Sequence, residues 1–212
     1  MTINQTLSSL TVKIMEECTN LFSKIVPDLI MVQGDTTTTF AASIAAYYNK
    51  IPIAHIEAGL RTKNIFSPFP EEGNRRITSI VSKYHFAPTK SAQNNLISEG
   101  FKKENIFITG NTVIDSLLQA IKRIEKNKLN AKFDKIFHDE HGVNFATNKR
   151  TLMVTGHRRE NFGEGLKEIC SSLKIIANDN KDVHIVYPVH LNPNVIKPVN
   201  RMLSNIKNIH LQ

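Results

Sequence analysis

Cysteine is scarce in this sequence: Cys18 and Cys170 are the two present, and they lie far apart in the chain. That spacing excludes a disulfide framework and a cysteine-based metal site. Each falls in an apolar helical pattern, so two buried free thiols are expected. Tryptophan is absent. A net charge of +8 would suit nucleic acid, but the lysines are scattered and no basic–aromatic stripe accompanies them, so no nucleic-acid partner is expected. Basic charge of this kind serves a phosphorylated small ligand or plain solubility. No apolar run approaches the ~20 residues of a membrane helix. The opening MTINQTLSSL has neither the basic region nor the apolar stretch of a signal peptide. A cytoplasmic protein without a membrane partner is the expectation. Internal repeats and low-complexity tracts are lacking too.

What is present is an alternation of short apolar runs and helical patterns. The hydrophobic fraction is 41% and the charged fraction 22%, ordinary values for a globular protein, and 212 residues make one large domain or two small ones. An amphipathic helix over 6–26 opens the chain, followed by a strand at 28–33, a helix at 36–48, a strand at 51–57, a loop at 58–69 and a helix at 70–82. Strands at 84–87 and 106–109 flank a helix at 90–99 that stops at Gly100, a helix-ending residue. A long helix at 112–127 leads into a lysine- and asparagine-rich stretch, 128–149, which reads as a linker or an irregular domain entry. A second series follows: a strand at 151–155, a helix at 164–177, a strand at 183–187, a helix at 194–204 and a last strand beginning at 208. Strands alternating with helices of this length predict parallel sheets. The expected division is 1–112 as a first domain, 113–149 as connecting helix and linker, and 150–212 as the start of a second domain.

The chemistry concentrates between Pro27 and Arg76. The run Asp28–Val32 stops at Gly34-Asp35 before a helix opened by threonines, and the run Ile51–Ile56 ends in Glu57 with Arg61 just beyond. In SPFPEEGNRR, Pro70, Glu71 and Glu72 read as the first turn of another helix. In an open parallel sheet the carboxyl ends of the strands line the ligand crevice. Asp35, Glu57 and Glu71 are therefore expected to converge there, beside Arg61, Arg75 and Arg76, as a site for acid/base chemistry on an anionic substrate. The ordinary alternative for each acid taken singly is a helix cap or a surface ion pair, and Asp35 in particular stands where a carboxylate can cap a helix. Three acids at successive element ends weigh against that alternative.

A second site-forming segment is VTGHRRENFGEG. A strand ends at Gly156, and His157, Arg158 and Arg159 occupy the turn before a helix opened by glycines, a setting suited to phosphate. His157 could act as an acid, could neutralise a leaving phosphate as imidazolium, or could simply bond backbone at a strand end. His190, at the next strand end in PVHLNP, carries the same choice. The order GD, GN, GH and His190 loosely echoes dinuclear metallophosphoesterases. The detail fails, because GNTVID has no His after its Asn, GHRR lacks a second His and no Asp-x-His precedes. A two-metal site needs several closely spaced N/O ligands, so no metal is expected.

Taken together, QGDTTTT, HIEAGLRT, SPFPEEGNRR, ITGNTVID, TGHRREN and YPVHLNPNV resemble the non-hydrolysing UDP-N-acetylglucosamine 2-epimerase family, from about Pro27 to the C-terminus. The resemblance implies an α/β, GT-B-like fold of two Rossmann-like parallel-sheet domains. It implies a cytoplasmic, homodimeric isomerase of nucleotide sugars that needs no cofactor. Such an enzyme interconverts UDP-GlcNAc and UDP-ManNAc and supplies ManNAc for bacterial surface polysaccharide. It further implies Asp35, Glu57 and Glu71 as the acid/base carboxylates, without saying which is which, and His157 as an aid to UDP departure. Arg61, Arg75, Arg158 and His190 are implied as substrate or UDP contacts, and Arg158 and His190 match positions that in some bacterial members meet a second, regulatory UDP-GlcNAc. The family's opening strand with its GTRPE-type loop and its later TDSGG-type loop have no counterpart here. Both domains are therefore expected to be incomplete, two neighbouring strands to be left unpaired, and turnover by these residues alone is not expected; a non-catalytic fragment is the alternative.

Overall fold

Apolar runs and amphipathic patterns become strands and helices that alternate, save for two successive helices at 112–126 and 130–141. In the computed structural model, which describes residues 6–145, 150–156 and 162–212, the order begins with α1 Leu7–Ile25, β1 Ile30–Gln33, α2 Thr37–Tyr48 and β2 Ile53–Ile56. It continues with α3 Glu71–Val81, β3 Tyr84–Ala87, α4 Lys90–Ser98, a 3-10 turn Lys103–Asn105, and β4 Ile106–Ile108. Then come α5 Thr112–Lys126, α6 Asn130–His141, β5 Arg150–Met153, α7 Glu164–Asp179, β6 Val183–Tyr187, α8 Pro193–Leu203 and β7 Ile209–Leu211. The chain divides into two compact units at Ser116/Leu117, inside α5.

The first unit holds a four-stranded sheet in the order β1-β2-β3-β4, with every pairing parallel. Val32, His55, His85 and Ile106 stand in one row across it. Alternation along a strand puts them on one face. Among the described residues each strand has a partner on at least one side, and β1 and β4, at the edges, each leave one side open. Small residues let the helices approach closely: Ala41, Ala45 and Ala46 of α2 are fully buried, and Ala45 and Ala46 pack with Phe22, Val32 and Ile53. A second cluster joins Ala58, Ala87, Ala92, Leu96 and Ile106.

The second unit has a parallel three-stranded sheet, β5-β6-β7. Leu166, Cys170, Leu173 and Ala177 of α7 and Val195, Val199 and Leu203 of α8 form one core with Ile185 and Tyr187 of β6.

Two expectations need correcting. The stretch 128–149 contains the helix α6 rather than only a linker. Its stop signal is Gly142, whose φ of 65° supplies a left-handed end, while Val143 N–H returns to Phe137 O and the Val143 side chain is buried. Helix ends of this kind are built by glycine, and weak apolar periodicity hid the helix before it. Of the thiols, Cys170 is buried but Cys18 is only half-buried, because Cys18 lies at the margin of the cluster that α1 joins.

Candidate active site

The first strand end is shaped by Gly34. Its φ of 74° is open to glycine at no steric cost, and its N–H bonds Ile56 O at 3.0 Å, extending the β1–β2 ladder into the turn. A fully buried imidazole stands behind this turn: His55 Nε2 lies 2.8 Å from Gly34 O. A carbonyl can only accept, so Nε2 carries the proton and donates. Burial pushes the His55 pKa down to about 4, against the opposing Gly34 bond and Asp35 charge. Its neighbour in register, His85, is also lowered to about 4, first by burial and then by the charges of His55 and Arg61. Both rings are neutral at physiological pH.

Asp35 follows, and it does not cap α2. Thr36 takes that duty by accepting from Thr39 N–H through its hydroxyl. A neutral hydroxyl suffices for a cap, which leaves the carboxylate of Asp35 to turn elsewhere. It meets α3: Arg75 Nη2 donates to Asp35 Oδ2 at 2.5 Å, and Asn74 Nδ2 donates to the Asp35 carbonyl at 2.9 Å. The backbone and side chain of Asp35 are thus both fixed by one helix turn.

Glu57 ends the second strand with φ at +67°, a left-handed conformation that costs a non-glycine residue of order 1 kcal/mol or more. A Cβ at Gly34 would lie 3.5 Å from Glu57 Oε2. The two strand ends therefore bring Glu57 against the turn that carries Asp35. Glu71 is the first residue of α3, one turn before Arg75, and the helix N-terminus favours its negative charge. Among the described residues, neither the Glu57 nor the Glu71 carboxylate makes a hydrogen bond or ion pair. The first unit thus carries one strand-end carboxylate locked to a guanidinium, a second beside its turn, and a third one turn before that guanidinium on the same helix, groups of the kind that take a proton and return one.

The remaining expected residues are distributed differently. Arg61 donates from Nε and Nη2 to both oxygens of Glu99 at 2.8 and 2.7 Å, from Nη1 to Leu60 O, and from Nη2 to Ser79 Oγ. Arg75 is committed to Asp35 and, at 3.6 Å, to Glu72. Arg76 stands 3.9 Å from Glu99. In the second unit His190 is exposed, and its Nδ1 accepts from Asn192 N–H at 3.1 Å. His157 and Arg158 lie outside the described residues.

Known proteins resemble this chain in sequence and fold. Residues 2–212 match the profile of the family described as UDP-N-acetylglucosamine 2-epimerase. The chain belongs to that family. The UDP-N-acetylglucosamine 2-epimerase of Campylobacter jejuni is 51% identical over 209 residues, which make up 98% of this chain and 54% of that protein. That of Escherichia coli K12 is 46% identical over 210 residues, again 98% and 54%. The crystal structure of the Neisseria meningitidis enzyme bound to UDP-GlcNAc superposes with a TM-score of 0.92 at 45% identity, covering 100% of this chain and 56% of that one. The Methanocaldococcus jannaschii enzyme in complex with UDP-GlcNAc and UDP gives 0.80 at 33% identity, covering 99% and 56%. The chain spans about half the length of the curated relatives it matches.

Two further residues of this family member escaped sequence reading. His55 reads there as one more strand residue, and only the curvature of the glycine turn brings it onto Gly34. Glu72 reads as the twin of Glu71 but is fully buried. Helical spacing offered a signal for it, since Glu72 and Arg75 stand at i and i+3.

Proposed function

We propose that the carboxylates of the first unit serve the interconversion of UDP-GlcNAc and UDP-ManNAc by elimination of UDP and its re-addition. The observation that carries this reading is Asp35 anchored by Arg75 beside the strand end of Glu57, with Glu71 one turn before Arg75 on the same helix. The C2–H of the sugar is weakly acidic, so its removal is coupled to departure of UDP from C1. The C2–H electron pair becomes the C1–C2 double bond of 2-acetamidoglucal, and the C1–O bond pair leaves with UDP. Return of a proton to the opposite face of C2, with UDP adding back at C1, inverts that centre. This chemistry needs carboxyl groups on both sides of the ring and cationic relief of the leaving diphosphate. By family resemblance His157, Arg158 and His190 supply that relief, while Arg61 and Arg75, committed to Glu99 and to Asp35 and Glu72, hold the surrounding loop and helix in place. On the same reading the enzyme is a cytoplasmic homodimer that needs no cofactor and feeds bacterial surface polysaccharide.

The test follows deuterium entering C2 of UDP-GlcNAc in heavy water by NMR. It uses the chain itself and a chimera of the Campylobacter enzyme in which the matching stretch is replaced by this one. The chimera is expected to exchange and epimerise, and Glu71→Gln to lower the rate by about 10²–10⁴-fold. Exchange by the chain alone would show that this edge suffices. A folded chimera that binds UDP-GlcNAc yet neither exchanges nor epimerises would overturn the reading.

A further inference from the structure

Asp35 is held by Arg75, and Arg75 in turn faces Glu72, whose side chain is fully buried. Glu72 Oε2 also accepts from Thr62 N–H at 3.2 Å, within the loop between β2 and α3. That loop is cross-tied again by Thr62 Oγ1 to Ser67 O at 2.5 Å. A single buried carboxylate thus touches both the loop and the guanidinium that grips Asp35. The contact to Arg75, at 3.6 Å, is a charge contact rather than a hydrogen bond.

Packing alone does not account for this group. A buried ion pair is often no more stabilising than apolar residues of the same volume. Here Glu72 Oε1 and Arg75 Nε are buried without a hydrogen-bond partner, a cost that an apolar pair would avoid. The arrangement does fix direction. With Asp35 on Nη2 and Glu72 on Nη1, the guanidinium plane cannot rotate without losing one carboxylate.

We propose that Glu72 is a positioning residue for the acid/base edge: it orients Arg75 and ties the 58–70 loop to it, so that Asp35 and the loop are placed as one unit. The inference rests on the reading of Asp35 as a reacting carboxylate. Glu71 and Glu72 then divide the work of the first turn of α3, the half-buried Glu71 directed to chemistry and the buried Glu72 to alignment.

Glu72→Gln tests this, because the amide keeps the size and can still accept from Thr62 N–H while removing the charge that faces Arg75. Two readouts are taken. The first is the 15N–1H signals of the Arg75 guanidinium in the chain itself, assigned with Arg75→Lys. The second is the split of kcat and KM for C2 exchange, in whichever of chain and chimera is active. Separate Nη signals are expected in the unsubstituted chain, reporting restricted rotation, and merged signals in Glu72→Gln. A fall in kcat of about 100-fold with KM changed less than about threefold is expected, the size that misplacement of a reacting group by about 1 Å produces. Signals already merged without substitution, signals still separate in Glu72→Gln, or an unchanged kcat would each overturn the proposal. Should Glu72→Gln fail to fold, Asp35→Asn decides: Arg75 is expected to stay restricted there by Glu72 alone, and merged signals would overturn the assignment. Absence of exchange in every preparation removes the functional reading, while the Arg75 signals still decide whether Glu72 orients it.

Discussion

Arg61 and Arg75 enter the sequence as equivalent cations near three acids, and the fold gives them opposite surroundings. Arg61 closes a bidentate pair with Glu99 and spends further donors on Leu60 O and Ser79 Oγ. It joins the loop after β2 to α3 and to the end of α4, and its neighbours are structural. Arg75 issues from the same helix that supplies Ser79, yet its guanidinium meets Asp35 and Glu72. The lesson is that an arginine's role follows from which carboxylate it reaches. A pair that fully satisfies both partners fixes a fold, whereas a cation shared between two acids leaves capacity for alignment and chemistry.

The sharpest way to break this comparison is to neutralise both carboxylates in turn. Asp35→Asn is expected to lower C2 exchange in the chimera by about 10²–10⁴-fold, and Glu99→Gln to leave it within about threefold. Equal losses would erase the distinction between the two clusters. On the structural side, Gly59→Ala would place a Cβ 2.2 Å from Ala92 O at a φ of +89°. A strained left-handed residue combined with a backbone clash predicts a loss of about 3 kcal/mol or more, read from urea unfolding.

Glu99→Gln is expected to cost about 2 kcal/mol in the same assay, since a hydrogen-bonded charge leaves Arg61 under-satisfied. Its pH dependence has a definite sign. The Arg61 hydrogen bonds hold the Glu99 carboxyl below its ordinary value of 4.5. The pair's contribution is therefore complete at neutral pH, and it is lost as pH falls below that value. His55 adds an earlier limb. Its folded pKa of about 4, against an ordinary 6.5, makes the unfolded chain the better proton binder between these values. Stability is expected to fall from pH 6.5 toward 4, by roughly 3 kcal/mol for this histidine, and His55→Asn to make that limb shallower while His85 still contributes to it. The smallest effect belongs to the second unit. Arg150 and Asp182 pair at 2.8 Å but are mostly exposed, so Asp182→Asn is expected to leave the urea midpoint unmoved.

Much of both units was legible in the sequence. The strands at 84–87 and 183–187 and the helix opening at Glu71 follow from apolar runs and from Pro and Gly punctuation. The placing of Asp35, Glu57 and Glu71 at strand and helix ends followed as well. Which residue caps α2 stayed open, because Asp35 and Thr36 are both good caps, and local sequence cannot say which one a distant arginine will claim. The burial of Glu72 was hidden for the same reason. Adjacent glutamates on a helix differ by about 100° in direction, and only the packing of α3 decides which of them turns inward.

By itself, the sequence determined the alternation of strands and helices, the family, and the residues that carry charge, because propensity, turn chemistry and motif spacing act over a few residues. Tertiary structure alone decided that Arg61 is consumed by Glu99, that Arg75 bridges Asp35 and Glu72, and that His55 is neutral behind the Gly34 turn. Those outcomes depend on parallel register and helix docking across some 20 to 40 positions. Charge and burial act through space, and nothing local in the chain encodes which partner lies at the other end.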